Sequence, residues 1–110
     1  MPKFITIGYS DQAGYERTDS SVRNAAHAHD ARYQAGGVLM EVVGAPVHVR
    51  DHDDSGVETV PGPFLRSDLS VAGFAVIEAA DVREAIQLVS ATPCAVANGV
   101  VEVWPLESNP

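Results

Sequence analysis

The chain has 110 residues, of which 45% are hydrophobic and 20% are charged, and this composition favours one folded domain over a disordered chain. Seven Lys and Arg stand against 15 Asp and Glu, giving a formal net charge of -8. Because the basic residues are scattered, the sequence argues against nucleic acid or an anionic membrane as a partner.

The amino terminus lacks the charged region and apolar core of a signal peptide. No apolar run approaches the ~18 residues that a membrane span needs. We therefore expect a soluble cytoplasmic protein with a single domain over residues 1–110, of which residues 107–110 form a frayed tail. The single cysteine, Cys94, excludes an intrachain disulfide.

The first third of the chain predicts a strand, a loop and a helix. Residues 3–9, "KFITIGY", are rich in β-branched and aromatic side chains, which is typical of a strand. Residues 10–19 are polar and contain glycine, which indicates a loop. A helix should begin near Ser20 or Ser21, either of which can cap it, and should end at the glycine pair 36–37.

The remainder predicts three more strands, a hairpin and a second helix. Asp81 and Glu84 form a capping box for this helix, and Pro93 should end it. The hairpin has an Asp-Ser-Gly-rich tip at residues 51–56. The strands are expected at residues 38–43, 71–79 and 99–104.

Two strand-helix-strand units in tandem predict an α+β ferredoxin-like sandwich, with an antiparallel sheet and two helices on one face. Side chains alternate along a strand, so Ile5 and Ile7 should lie on one face and Phe4 and Thr6 on the other. Both faces therefore carry apolar side chains. Because the helices cover only one face, we expect a second subunit to cover the other, as a homodimer.

Several short segments occur in an order that is informative together. They are "AGGVLM" after the first helix, Gly62-Pro63-Phe64, Gly73-Phe74, "DVREAIQLV", and Val101-Glu102-Val103 before Pro105. In this order they resemble the DGPF-type branch of the YCII-related proteins, over most of the chain. The resemblance implies a ferredoxin-like fold and a dimeric α+β barrel.

The chain departs from the family at the corner around Gly62. Pro61 stands where the family usually has Asp, and "LRSDLS" over residues 65–70 replaces its usual alternation of Glu, Thr and Lys. Both changes weaken any carboxylate chemistry at this corner. We expect Pro61 and Pro63 to hold a rigid entry to a buried strand, with Gly62 extended and Phe64 as an apolar plug.

The resemblance also implies a His–Asp pair in a cleft. Asp11 matches the position of the family's Asp after the first strand. The family's His lies three residues after an arginine, and that count from Arg23 reaches Ala26 rather than a histidine. The candidates nearby are His27 and His29.

Such a pair can act as a general base with an orienting carboxylate, which suits proton abstraction or elimination on a small acidic substrate. The alternative is structural: His29 packs beneath the sheet and Asp11 caps a loop. At 100° per residue, His29 lies about 20° from Val22 and His27 about 140° away. We therefore predict that His29 faces the sheet and that His27 is largely exposed.

Other residue types with possible chemistry have simpler interpretations. Tyr9, Phe64 and Trp104 are aromatic candidates for contacts with a ligand. The histidines and aspartates of "HVRDHDD", residues 48–54, match no closed metal site, and we predict no metal and no cofactor. Cys94 should be a small buried hydrophobic residue, because a preceding helix C-terminus disfavours a thiolate.

Three hypotheses for function follow. The first is a dimer that binds a small organic molecule without assured catalysis. The second is a cofactor-independent, lyase-like or dehydrochlorinase-like enzyme with a His–Asp pair. The third is a non-catalytic assembly module. The sequence favours the first, because the histidine register and the Asp of the corner are both lost.

Overall fold

The computed structural model describes residues 1–107 of the chain. Its strands are β1 (Lys3–Ser10), β2 (Leu39–Val42), β3 (Val47–Arg50), β4 (Glu58–Pro61), β5 (Ser70–Glu78) and β6 (Val100–Pro105). Its α-helices are α1 (Gln12–Glu16), α2 (Ser20–Ala35), α3 (Val82–Val89) and α4 (Pro93–Val96). A 3-10 turn, His52–Asp54, forms the tip between β3 and β4. The predicted frayed tail lies outside the described residues except for Glu107.

Four strands form one antiparallel sheet in the order β2-β5-β1-β6, while β3 and β4 form a separate two-stranded arm. The two central strands, β5 and β1, are the first strands of the two strand-helix-strand units. The second strands of these units, β2 and β6, lie at the edges of the sheet. This arrangement confirms the α+β ferredoxin-like prediction.

Side chains alternate between the two faces of the sheet as the sequence predicts. Phe4 pairs with Ile77 and Thr6 pairs with Ala75 on the face that carries the helices, and all four side chains are buried. Helix α3 packs on this face through small and β-branched residues that are also buried, Ala85 and Val89. The core therefore lies between α3 and the centre of the sheet.

The opposite face carries no helix, and we call it the open face. Its apolar residues include Ile5, Ile7, Val76, Val100 and Trp104, whose positions follow from the strand registers. Val100 and Trp104 are exposed and the other three are only half-buried. The sheet thus has one finished core face and one apolar face that this chain leaves uncovered.

Two glycines lie side by side in the centre of the sheet, where Gly8 of β1 pairs with Gly73 of β5. A Cβ atom on Gly8 would lie 2.7 Å from Cys94 Sγ, and one on Gly73 would lie 2.6 Å from the backbone oxygen of Glu41. Neither position has room for a larger residue. We call this pair the glycine floor.

The predicted loop at residues 10–19 is wrong in part, because α1 forms within it. The Asp11 carboxylate accepts a hydrogen bond from the Gly14 N–H and so closes this short helix. The residue at the N-cap position of α2 is Asp19, not Ser20 or Ser21, and its side chain makes no capping hydrogen bond.

Pro93 does not end the second long helix, as predicted, but begins α4. Helix α3 already ends at Val89, and proline is favoured in the first turn of a new helix, where its missing N–H needs no partner. Cys94 consequently lies in the first turn of a helix and not after a helix C-terminus. The prediction that a helix C-terminus disfavours the Cys94 thiolate is therefore wrong.

The Pro-Gly-Pro corner is also built differently from the prediction. Gly62 has a φ of 104°, a conformation that suits glycine alone, and its N–H donates to the Pro46 carbonyl at 2.9 Å. Phe64 is 64% exposed and does not act as a buried plug. The corner closes the base of the arm instead of leading directly into a buried strand.

Candidate functional site

A cleft of about 420 Å³ lies between α2 and the helix-bearing face of the sheet. Its walls come from β1, α1, α2, β2, β5, α4 and β6. The cleft is lined by residues from several elements. They include Gly8 and Gly73 on the floor, His27, Asp30, Ala31 and Gln34 on α2, and Ser10, Tyr15, Met40 and Cys94 around them.

The helical wall of the cleft is polar. His27, Asp30, Ala31 and Gln34 are spaced three or four residues apart, so they share one face of α2. The Gln34 side-chain amide donates to the Met40 carbonyl at 3.1 Å and joins the end of α2 to β2. This wall can therefore offer hydrogen bonds to a molecule that lies on the sheet.

The glycine floor forms part of the base of the cleft. Gly8 and Gly73 contribute backbone to the lining, Cys94 Sγ lies close to the place that a Cβ atom on Gly8 would take, and Val101 adds an apolar side chain beside them. Glycine within a strand often marks the close approach of another group. The floor suits a flat, mainly apolar body.

Cys94 lies beside the glycine floor and is half-buried. Burial raises the pKa of the Cys94 thiol; a hydrogen bond with Ser10 lowers it, and the negative charge of Asp30 raises it further. The thiol is thus protonated at neutral pH. This agrees with the prediction of an unactivated cysteine, although Cys94 is not fully buried.

The histidine in the cleft is His27. Its Nε2 lies 2.8 Å from the hydroxyl oxygen of Tyr15, and the two rings meet edge to face with centroids 5.9 Å apart. The Arg23 guanidinium lies over the Tyr15 ring, 4.8 Å from its centroid. The prediction that His27 is largely exposed is confirmed, yet this exposure is toward the cleft.

His29 lies elsewhere, so the prediction that it faces the sheet is wrong. It lines a shallow surface groove with Val22, Ala91 and Val96, its Nδ1 is 3.3 Å from Asp30 Oδ1, and its ring is 4.6 Å from that of Tyr33. The physical reason is that α2 packs against α4, which the sequence did not predict, and its buried residue is Ala26.

Asp11 directly follows β1, near the cleft, but its carboxylate forms its hydrogen bond with the first turn of α1. Oδ1 accepts from the Gly14 N–H at 2.7 Å, and the backbone oxygen accepts from the Tyr15 N–H at 3.1 Å. Among residues 1–107, Asp11 forms no hydrogen bond with His27 or His29. The structural alternative, a cap, describes this geometry.

The three aromatic candidates lie away from the cleft. Tyr9 and Trp104 are on the open face, where the Tyr9 hydroxyl donates to Glu102 Oε1 at 2.6 Å. That hydrogen bond, with burial and the carboxylate charge, raises the pKa of Tyr9. Phe64 lies against the arm, with His48 and Arg50 as its ring partners.

The acidic tip of the arm is held by its own hydrogen bonds. Asp51 Oδ1 accepts from the Gly56 N–H at 3.0 Å, and the Ser55 hydroxyl donates to the His52 carbonyl. Within residues 1–107, no three His, Cys, Asp or Glu side chains are grouped so that they could hold a metal ion. In the same part of the chain, no helix is long and apolar enough to cross a membrane.

Sequence reasoning missed Tyr15, Asp30 and the glycine floor. A signal for the floor was present, because Gly8 and Gly73 each interrupt a strand pattern. No comparable signal points to Tyr15, because the polar segment at residues 10–19 predicts a loop.

Comparison with known families agrees with the fold. The family model of the YCII-related domain matches residues 3–108, and the chain therefore belongs to the YCII-related family. This match is to the whole family, so the DGPF-type branch and a cytoplasmic location stay predictions. No curated protein matches the chain.

Proposed function

We propose that this YCII-related protein binds a small organic molecule in the cleft between α2 and the sheet. The observation that carries the proposal is the cleft itself, about 420 Å³ with a glycine floor and a polar helical wall. Ligand pockets usually have volumes of roughly 300–1,000 Å³, an apolar lining and a few polar groups that orient the ligand.

The chemistry of the lining suggests how a ligand would lie. A flat apolar part would rest on the backbone of the glycine floor and on the Cys94 side chain that lies against Gly8. A polar end would meet His27 and Asp30 on α2. Together these contacts fix one orientation.

Filling the cleft is the direct test of this proposal. Ala31 is exposed and lines the cleft, so Ala31→Phe should fill it without disturbing the core. Ala28 is also exposed on α2 but does not line the cleft, and Ala28→Phe is the matched control. Compounds found by ligand-observed NMR in a fragment screen should lose binding to Ala31→Phe and keep it with Ala28→Phe. Equal binding to both variants would contradict the proposal.

A second candidate is a cofactor-independent, lyase-like or dehydrochlorinase-like activity. The observation that favours it is an imidazole, His27, that is hydrogen-bonded to a phenol and open to the cleft. An imidazole can take up a proton near neutral pH. A bound compound should then exchange an acidic C–H for deuterium in D₂O, and His27→Gln should abolish this exchange while binding persists. Unchanged exchange in His27→Gln would exclude the histidine as the base.

We also propose a homodimer through the open face. Its support is the row of apolar side chains that includes Ile5, Val76 and Trp104, the last of which is 55% exposed. Such a patch is typical of a protein interface. A charge buried there without a partner is costly, so Trp104→Glu should shift the mass measured by light scattering from dimer to monomer.

The matched control for the dimer is Val82→Glu, since Val82 is 48% exposed on α3 and lies off the open face. This variant should keep the dimer mass. Wild-type protein that has a monomer mass at micromolar concentration would refute the dimer. The third hypothesis, a pure assembly module, has less support, because the cleft beside α2 is open.

A further inference from the structure

A cleft histidine needs a group that orients its ring, and the Asp expected for that role is engaged elsewhere. The Asp11 side chain and backbone oxygens both accept hydrogen bonds from the first turn of α1. A carboxylate held in a cap in this way has a structural task. The partner of His27 must therefore be sought on α1 itself.

Helix α1 is held firmly although it has only five residues. Gly14 is buried, and a Cβ atom there would lie 2.8 Å from Asp11 Oδ1. The Gly14 carbonyl accepts hydrogen bonds from the Thr18 hydroxyl at 3.0 Å and from the Asn98 side-chain amide at 3.1 Å. Asn98 comes from the segment between α4 and β6, so α1 is fixed to a distant part of the chain. Tyr15 thus projects from a rigid support.

The Tyr15 ring bridges α1 and α2. On α2, Arg23 and His27 are four residues apart and so lie on one side of the helix. The Arg23 guanidinium covers the ring face of Tyr15 while His27 Nε2 meets its hydroxyl. A cation over the ring draws electron density from it and makes the hydroxyl a better hydrogen-bond donor.

We propose that Tyr15, and not Asp11, is the positioning partner of the cleft histidine. The Tyr15 hydroxyl donates to His27 Nε2, which leaves the imidazole proton on Nδ1. Among residues 1–107, His27 Nδ1 makes no hydrogen bond, so this N–H is available to a ligand. Asp11 acts only through the cap that holds α1.

The Nδ1–H group defines a ligand class for the cleft, and this step rests on the proposed binding function. It does not rest on the second candidate, because an imidazole that is protonated on Nδ1 and accepts at Nε2 has no free lone pair to act as a base. An Nδ1–H group recognises a hydrogen-bond acceptor such as a carbonyl oxygen. Asp30 and Glu41 line the cleft, whereas no Lys or Arg in the described part of the chain does. A neutral carbonyl compound is therefore favoured over a carboxylate.

Long-range ¹H–¹⁵N spectra of the histidine rings test the tautomer in the full chain, with His27→Gln assigning the signals. Wild-type His27 should show the proton on Nδ1, and Tyr15→Phe should lose this preference. Asp11→Ser should keep it, because serine caps a helix as well as aspartate does. The inference fails if Asp11→Ser abolishes the preference, if Tyr15→Phe retains it, or if the wild-type proton is on Nε2.

Three compounds of similar shape test the ligand class: acetophenone, its apolar isostere α-methylstyrene, and benzoate. The readout is the rate at which iodoacetamide alkylates Cys94, the single cysteine, which lines the cleft. Acetophenone should protect Cys94 best, and Tyr15→Phe should reduce its advantage over α-methylstyrene by roughly fivefold, the worth of one hydrogen bond.

The outcomes separate the two proposals. Protection by α-methylstyrene equal to that by acetophenone, or stronger protection by benzoate, contradicts the ligand class while binding in the cleft stands. If none of the three compounds nor any fragment slows alkylation, the binding function fails, and the tautomer spectra still decide whether Tyr15 positions His27.

Discussion

Helices α3 and α2 lie over the same face of one sheet but meet it in different ways. Under α3, Ala85 and Val89 are buried in one cluster with Phe4 and Ile77. Under α2, the buried residue is Ala26, and it lies at the side of the helix that faces α4. One half of the face is a core and the other half is a cleft.

The difference comes from the side chains that each helix presents to the sheet. Helix α3 presents the small Ala85 and the β-branched Val89 to the large side chains of Phe4 and Ile77 on the sheet, and these side chains pack in one core cluster. Helix α2 presents His27, Asp30 and Gln34, which line an open cleft above the glycine floor and do not pack into a core. A function in the cleft therefore costs the fold little, because α3 supplies the core.

The largest expected effect tests this division directly. Phe4→Ala on the α3 side should lower the free energy of unfolding by about 3–5 kcal/mol, because Phe4 is buried and its removal leaves a cavity. Gln34→Ala on the cleft side should change it by about 0.5 kcal/mol or less. Urea unfolding monitored by circular dichroism gives both values. Similar losses in the two variants would show that the cleft side is part of the core.

A smaller effect is expected at the glycine floor. Gly8→Ala should cost roughly 1–3 kcal/mol, because the new Cβ atom would lie 2.7 Å from Cys94 Sγ. Cys94→Ala in the same chain should recover part of this loss, which a double-mutant cycle would measure. Gly44→Ala is the control, since no atom lies within 4 Å of its added Cβ. If the changes in unfolding free energy caused by Gly8→Ala and Cys94→Ala simply add in the double variant, the contact between these two positions is contradicted.

The smallest effect concerns pH. Burial raises the pKa of the Cys94 thiol above its ordinary value of 9.0, so the folded state holds this proton more tightly than the unfolded chain. The resulting stability is fully present below the unfolded pKa and is lost as the pH rises through the folded value. Wild-type protein should thus lose more stability above pH 9.0 than Cys94→Ala, in thermal melts at several pH values. Equal losses of stability in the wild type and in Cys94→Ala would contradict the raised pKa and show that the thiol is exposed to solvent.

The two faces of the sheet could be predicted from the sequence, because the alternation of side chains along a strand is local and repeats every two residues. Alternation of Phe4 and Thr6 with Ile5 and Ile7 determined both faces before any pairing was known, and the strand registers agree with it. The open apolar face followed from the same alternation. These features depend on a period of two residues, which a single sequence displays directly.

The arrangement of the cleft could not be predicted in the same way. The rotation of α2 depends on its contact with α4, and a four-residue helix has no periodicity to read. Tyr15 was missed because α1 is short and depends on the Asp11 cap and on Asn98, which lies 84 residues from Gly14 in the chain. The weak apolar stripe of α2 therefore predicts that His29 faces the sheet, whereas the structure places His27 in the cleft.

The central claim is that the cleft beside α2 binds a small organic molecule. A crystal structure of the protein with the tightest compound from the fragment screen tests it most directly. The account predicts density for the compound between α2 and the glycine floor, with a polar atom within hydrogen-bond distance of His27. Density for the compound on the open face against Trp104, or on the arm beside Phe64, with none in the cleft, would contradict it.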